Sequence, residues 1–568
     1  MSTITSPIVS TPIKATPAAQ RSFVSHARLI SILTLASRVL GMARESVMSA
    51  YFGAGTVSSA FGFAFKVPNL FRKLLGEGAL SAAFIPLYAQ ALKSTDPNAV
   101  EEANQFAAAS VSLLATILVA LTIVGELCLW GLVKAIDLRP ENLLIVKFTA
   151  IMMPYVLLVC GTAFLGGILQ VHRRFGLPAL SPVLLNLIHI AVIVIGARML
   201  MLHGSSGAAK VAIQTRLAYW LAFFVLVAGV LQVMILIPAL RAVGFRLVWV
   251  GRFWTPPVKR MLKLSVPVAL SAGVLQLSVV IDGLITVILT RGPDAAERLH
   301  IFGHTYFYPM APGAVARLNW AQLLYQFPLG VFAISLATAI FPTLSADAMD
   351  RDQEKFRRSL RHGIILTLIE GMAASLGLIL VRYPAIRLLY QHGDFSPADT
   401  RWVALSTCFF AAAIWAFSLQ QILNRAYYAM HDTVTPLVLA VVTIAVNTAV
   451  EIPLVFTSLG ESGMAAGTLA SFAIQAVIML IMLDRRVKGL GLGQILRAVA
   501  KMLAGCAVMA VACLAVQRAP HYPTGTHTIA SIEQLCILVV VGAVAYLGTC
   551  KMLGLDMKFG PKSGNLGK

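Results

Sequence analysis

The chain has 568 residues, 58% of them hydrophobic and 12% charged, with a mean hydropathy of +0.81. That balance excludes a soluble globular protein and defines an integral membrane protein. The formal charge of +21 does not indicate a nucleic-acid partner. A nucleic-acid binder gathers its bases on a solvated face, whereas here they fall mostly in short loops between apolar runs, where they report topology.

Residues 1–26, rich in Ser, Thr, Pro and Ala, lack periodicity and are expected to form a disordered tail. The apolar run Leu29 to Ala36 has the length of a signal h-region, but no small-residue cleavage site follows and the pattern continues past Arg38, so it is read as a mature first span. A spanning helix needs about 20 apolar residues, and the sequence offers about fourteen such segments by that rule. Their approximate extents are 28–53, 57–91, 103–136, 143–171, 178–200, 215–240, 259–290, 315–346, 357–383, 398–429, 433–458, 463–484, 493–517 and 528–554. An even number leaves both termini on one side. With that side cytoplasmic, Lys and Arg in the loops favour it by roughly two to one, as the positive-inside rule requires.

The first two segments hold five cations, Arg38, Arg44, Lys66, Arg72 and Lys73. A charge at the centre of a spanning helix costs about 2.5–3.5 kcal/mol on insertion scales, so such residues face a bundle interior or a wet cavity. The second segment also carries Pro68, Asn69, Gly76, Glu77 and Gly78, the composition of an interrupted helix lining a cavity. At helical spacing Lys66, Asn69, Lys73 and Glu77 form one polar stripe with Arg72 beside it. One reading pairs Arg38 with a carboxylate, Glu45 or Glu77. The excess of five cations over those two acids favours an anionic ligand instead.

Further along, Asp282 in the seventh segment and Asn447 with Glu451 in the eleventh are oxygen-bearing side chains inside apolar runs, and Thr468 in the twelfth is placed to join them. Such oxygens hold hard monovalent cations or protons near the midplane. The competing reading is inter-helix hydrogen bonding with a protonated acid. Glu126, His189, Gln276 and Glu370 are read as satisfied interior groups, and the seven cysteines as small core residues. No phosphate-binding loop, H-E-x-x-H or G-x-S-x-G sequence occurs, which argues against an enzyme.

Ser37-Arg38-Val39-Leu40-Gly41-Met42-Ala43-Arg44-Glu45, then Phe52-Gly53-Ala54-Gly55 and Ala64-Phe65-Lys66-Val67-Pro68-Asn69-Leu70-Phe71-Arg72-Lys73, followed by Glu77-Gly78-Ala79, resemble the MurJ/MviN family of lipid II flippases. Phe327-Pro328-Leu329-Gly330-Val331, Tyr390-Gln391-His392-Gly393-Asp394-Phe395 and Tyr427 to Pro436 are similar to later signatures of that family. The resemblance implies the all-α fold of the multidrug/oligosaccharidyl-lipid/polysaccharide exporters. On that plan residues 27–240 make an N-lobe of six helices and 241–486 a C-lobe of six, around a central cavity. Residues 487–568 add two helices that groove the polyprenyl tail, and a cytoplasmic end.

It also implies a multi-pass protein of the bacterial inner membrane that carries lipid-linked peptidoglycan precursor between leaflets for wall growth, in contact with membrane lipids and other wall-synthesis proteins. The family's cavity residues fall on Arg38, Arg44, Arg72, Lys73 and Glu77. A sodium site known in some members would use Asp282, Asn447, Glu451 and Thr468; Na+ or H+ is the coupling ion implied, with no other cofactor. Two departures stand out: Ser58-Ser59-Ala60-Phe61 replaces Thr-Asp-Ala-Phe, and Ala321-Gln322-Leu323-Leu324 replaces Ala-Asp-Arg-Leu. The segment from Arg291 to Arg317 is also longer than expected. The rival readings are an ion-coupled exporter of drugs or of another polyprenyl-linked glycan, and a transport-inactive scaffold.

Overall fold

The computed structural model describes residues 17–94, 96–292, 298–301, 304–349 and 352–557, apart from the side chains of 17–31, 77–82 and a few others. The expected tail lies outside them as far as residue 16, and the first helix starts earlier than expected, at Pro17.

The helices of the first half are α1 (Pro17–Phe52), α2 (Thr56–Phe71), α3 (Leu80–Leu92), α4 (Ala99–Ala135), α5 (Pro140–Met152), α6 (Tyr155–Val171), α7 (Gly176–Met199) and α8 (Gly207–Ala242). A π-helical stretch, Arg72–Ala79, joins α2 to α3. It begins four residues after Pro68, whose missing N–H frees a carbonyl in the turn before it. α5 and α6 form one leg bent by 44°. α9 (Pro256–Leu289) follows, then a short antiparallel hairpin of β1 (Arg298–Ile301) and β2 (His304–Phe307). This hairpin accounts for the long segment before Arg317 and is the one departure from an all-helical chain among the described residues.

The second half holds α10 (Ala314–Pro328), a π-helical turn Leu329–Ala333, α11 (Ile334–Met349), α12 (Gln353–Leu389), α13 (Pro397–Ala412), α14 (Ile414–Ala429), α15 (Val434–Val455) and α16 (Ser462–Arg486). It closes with α17 (Leu492–Gln517) and α18 (Thr528–Met552). Among the described residues, ten helices are long and apolar enough to span a membrane, eleven with the bent α5–α6 leg. The count of about fourteen is therefore not reached by length and hydropathy. The expected spans left over are α1, the broken α2–α3 leg and α9, which carry much of the charge in the transmembrane region.

Three cores form. One, around Trp320, Tyr390 and Phe410, joins α9 and α10 to α12, α13 and α16. Another joins α2 to α8, with Phe84, Tyr155, Phe164 and Leu221 fully buried; the last joins α12, α14 and α16 to α17 and α18, with Leu360, Ile422 and Tyr546 at its centre. α9 packs on α3 and the π-helical stretch as well as on α15.

The halves meet along a polar seam at the end of the bundle that carries the β-hairpin. Asp394 accepts from Lys210 Nζ at 2.5 Å and from Gln214 Nε2 at 2.9 Å, and its N–H donates to Ala50 O at 2.9 Å. Ser49 Oγ donates to Tyr390 O at 3.1 Å, and the Ala316 N–H to Ser59 Oγ at 3.3 Å. Gly53 and Gly393 have φ of +58° and +54°, and a Cβ on Gly393 would lie 2.2 Å from Ala50 O. Only glycine permits that backbone contact.

Candidate functional site

The five cations do not share one place. Arg44, Asn69 and Arg72 line a chamber of about 510 Å³ within the first lobe. Arg44 pairs with its neighbour Glu45 and stacks over the Phe65 ring, 5.6 Å from its centroid. Glu45 also accepts from Trp320 Nε1 of the second lobe at 3.1 Å. Arg72 Nε donates to Asn69 Oδ1 at 3.3 Å, and Asn69 Nδ2 to Phe65 O at 3.1 Å, so a local chain of bonds positions both groups. Arg38 runs along the facing π-helical turn: a Cβ on Gly330 would lie 2.5 Å from its guanidinium, so the missing side chain makes its room. Glu45 is thus the partner of Arg44 rather than of Arg38. Lys73 is exposed, and the Glu77 side chain lies outside the described residues.

The single polar stripe expected on the second segment is therefore split. Arg72 starts the π-helical stretch, where the turn widens and side chains leave helical register. Lys66, one turn before Asn69, points instead into a small cavity of about 50 Å³ shared with Asp282, Gln322, Glu451 and Thr468. There Asn447 Nδ2 donates to Asp282 Oδ1 at 3.3 Å and to Glu451 Oε1, while Ser471 Oγ donates to Asn447 Oδ1 at 2.8 Å. Thr468 Oγ1 donates to Met464 O, leaving its lone pairs for the cavity. Glu451 is fully buried and its Oε2 has no hydrogen-bond partner. An orphaned carboxylate oxygen among further hard oxygens fits a small monovalent cation.

Sequence reading missed the rest of the chamber wall. Tyr155, Thr162, Gly166 and Gln170 line it from α6, with Ser181 and Asn186 from α7 and Gln232 from α8. Tyr155 Oη donates to Gln232 Oε1 at 3.3 Å, and Gln232 Nε2 to Ser181 O at 2.7 Å. The signal was available: residues 155, 159, 162, 166 and 170 repeat at helical period as one face of an otherwise apolar helix. His189 and Glu370, expected to be satisfied, each keep a buried atom without a partner. Of the cysteines, Cys160, Cys513 and Cys550 are buried, but Cys128 and Cys536 are exposed rather than core.

A third cavity, about 580 Å³ and almost wholly apolar, lies between α10, α12, α17 and α18, with Phe327, Leu378, Met509 and Tyr546 on its walls. The departures now have places. Leu323 faces this groove, Gln322 faces the acid pocket, and Ser59 accepts across the seam.

A two-lobed helical bundle with a charged chamber inside one lobe and an acid pocket against the other defines a membrane transporter of the exporter type. A multidrug resistance MATE family transporter of the MOP superfamily, in an inward-facing conformation, matches with a TM-score of 0.62 at 15% identity, over 81% of this chain and 98% of its own. A lipid II flippase MurJ in an inward closed conformation matches with a TM-score of 0.69 at 23% identity, over 92% of this chain and 98% of its own.

The family model "Lipid II flippase MurJ" matches residues 48–532. The probable lipid II flippase MurJ of Rhizobium tropici is 30% identical over 529 residues, 92% of each chain. The lipid II flippase MurJ of Burkholderia cenocepacia is 29% identical over 469 residues, covering 80% of this chain and 83% of its own. The chain belongs to the lipid II flippase MurJ family, and it is a multi-pass inner-membrane protein.

Proposed function

We propose that the protein moves lipid II from the cytoplasmic to the periplasmic leaflet by alternating access, as a transporter and not a catalyst. The observation that carries this is the chamber where Arg44 and Arg72 converge among amide and hydroxyl groups. Its volume falls in the range of ligand sites, about 300–1,000 Å³, and guanidinium groups bind phosphate oxygens in pairs. The pyrophosphate and acidic stem supply the charge, and the neighbouring amides suit the sugars. The apolar groove beside α18 takes the polyprenyl chain, which gains nothing by leaving an apolar medium.

The positive-inside bias puts both termini in the cytoplasm and the hairpin end in the periplasm. The seam around Asp394 is then the outer gate, closed, and parting it releases the cargo outside. A hard monovalent cation, Na+ or H+, is the coupling ion, held by the oxygens of Asp282, Glu451 and Thr468. The test is depletion of the protein in cells with the leaflet position of lipid II scored, then rescue by wild type or Arg72→Ala. Accumulation inside on depletion, reversed only by the wild type, supports the reading; rescue by the variant, or no accumulation, overturns it.

A further inference from the structure

The acid pocket is built by both lobes. Asp282 comes from α9, Glu451 from α15 and Thr468 from α16, but the one basic side chain on its wall is Lys66 of α2. α2 packs chiefly on α5 of the first lobe and meets the second lobe at α10, whereas α15 and α16 pack on each other and α16 on α13 and α14. The approach of α2 is close: a Cβ on Gly283, next to Asp282, would lie 2.9 Å from the ring of Phe63, one turn from Lys66. A cavity of about 50 Å³ has room for about one water or small ion. Because Lys66 forms part of the wall, a free cation there would lie against its ammonium, and two like charges so close repel.

We propose that the Lys66 ammonium is a tethered cation that occupies the acid pocket while the lobes are closed, and that a free monovalent cation enters only when lobe separation withdraws it. Two facts beyond the acid cluster support this. Glu451 Oε2 is fully buried with no hydrogen-bond donor, which leaves it open to a cation in the pocket. Lys66 and Asp282 are walls of the same small cavity. Gln322, where the resemblance implies an acid, adds no negative charge to the pocket. Competition of this kind makes ion binding report lobe position: the site is free only in the separated state, and its apparent affinity falls by the fraction of time Lys66 fills it. The inference rests on the alternating-access reading but not on the identity of the cargo.

The experiment uses full-length protein purified in sodium-free buffer without lipid II, so its failure would leave the cargo assignment intact. Na+ binding is titrated by thermal shift and by 23Na relaxation for wild type, Lys66→Met and Lys66→Met/Glu451→Gln. A pair of spin labels across the Asp394 seam reads lobe separation in parallel. Lys66→Met is expected to bind Na+ about tenfold more tightly or better, the fold-change expected when the native lysine fills the site nine-tenths of the time. The double variant is expected to lose that gain. Na+ should lengthen the spin-label distance in wild type but do so less in Lys66→Met, where closure and the free ion no longer exclude each other. Equal or weaker Na+ affinity in Lys66→Met, or no Na+ binding by either protein, overturns the proposal. If Lys66→Met does not fold, Lys66→Gln, which keeps a polar end without charge, is read against the same two outcomes.

Discussion

Arg72 and Arg317 are the same side chain in different settings. Arg317, at the start of α10, is buried and saturated: its Nε and Nη2 donate to Glu461 at 2.8 and 2.6 Å, and Nη1 to Asp399 at 3.2 Å and Pro312 O at 3.1 Å. Arg72 donates to a neutral amide and faces a chamber more than ten times larger than the acid pocket. A guanidinium buried between two carboxylates fixes structure. One that also lines an open chamber can in addition reach a visitor.

Removing each arginine should therefore separate stability from transport. Arg317→Ala leaves Glu461 and Asp399 buried without their cation, which costs about 3–5 kcal/mol. Thermal unfolding in detergent should show a larger loss than Arg72→Ala, Lys210→Ala or Asp432→Asn produces, with surviving folded protein still able to bind cargo. Arg72→Ala should lower the unfolding midpoint less. It removes a charged hydrogen bond to phosphate worth about 1.5–3 kcal/mol, so lipid II binding should weaken roughly 10- to 150-fold. If the two variants lose stability to the same extent, the contrast between fixed and cargo-facing arginine fails.

The seam sharpens the same comparison on a smaller scale, because its charges are partly exposed and meant to separate. Lys210 and Asp394 retain 31% and 24% side-chain exposure, where an ion pair is worth about 0.2–1 kcal/mol. Lys210→Ala should loosen the hairpin end without unfolding either lobe. Spin labels there should show a larger open population at unchanged thermal midpoint, and added salt should mimic the variant in the wild type. A fall in the midpoint as large as that of Arg317→Ala would make the seam structural rather than a gate.

Much of this was legible in the sequence. Apolar runs placed the helices because hydrocarbon demands them, and charges inside those runs marked α1 and α2. The motifs around Arg38, Arg44, Asn69 and Arg72 carried the family. What escaped was three-dimensional register. Lys66 and Asn69 are three residues apart and read as one stripe, but the two side chains part toward different lobes around Pro68 and the π-helical stretch. The Arg317 cluster was hidden because Asp399 and Glu461 stand 82 and 144 residues away from it. Tyr155 to Gln170 were hidden for a different reason: the face they line is periodic but mostly uncharged, so it did not stand out from the bundle interior.

The smallest effect concerns the opposite end of the bundle. Asp432, in the turn between α14 and α15, is pushed up by partial burial, but hydrogen bonds from the Thr435 backbone and hydroxyl, the Arg486 guanidinium and the Val434 N–H outweigh it and hold the carboxyl below its ordinary value. A carboxyl whose folded value is depressed stabilises the fold above its unfolded value, and that contribution is lost as pH falls through the folded one. Asp432→Asn should therefore lower the thermal midpoint slightly at pH 7. The difference from wild type should shrink as pH drops below about 4, where the unfolded carboxyl begins to take up its proton. Lys210→Ala should show its effect in lobe distance at neutral pH. A gap between Asp432→Asn and wild type that persists undiminished into strong acid would mean the side chain acts by shape and not by charge.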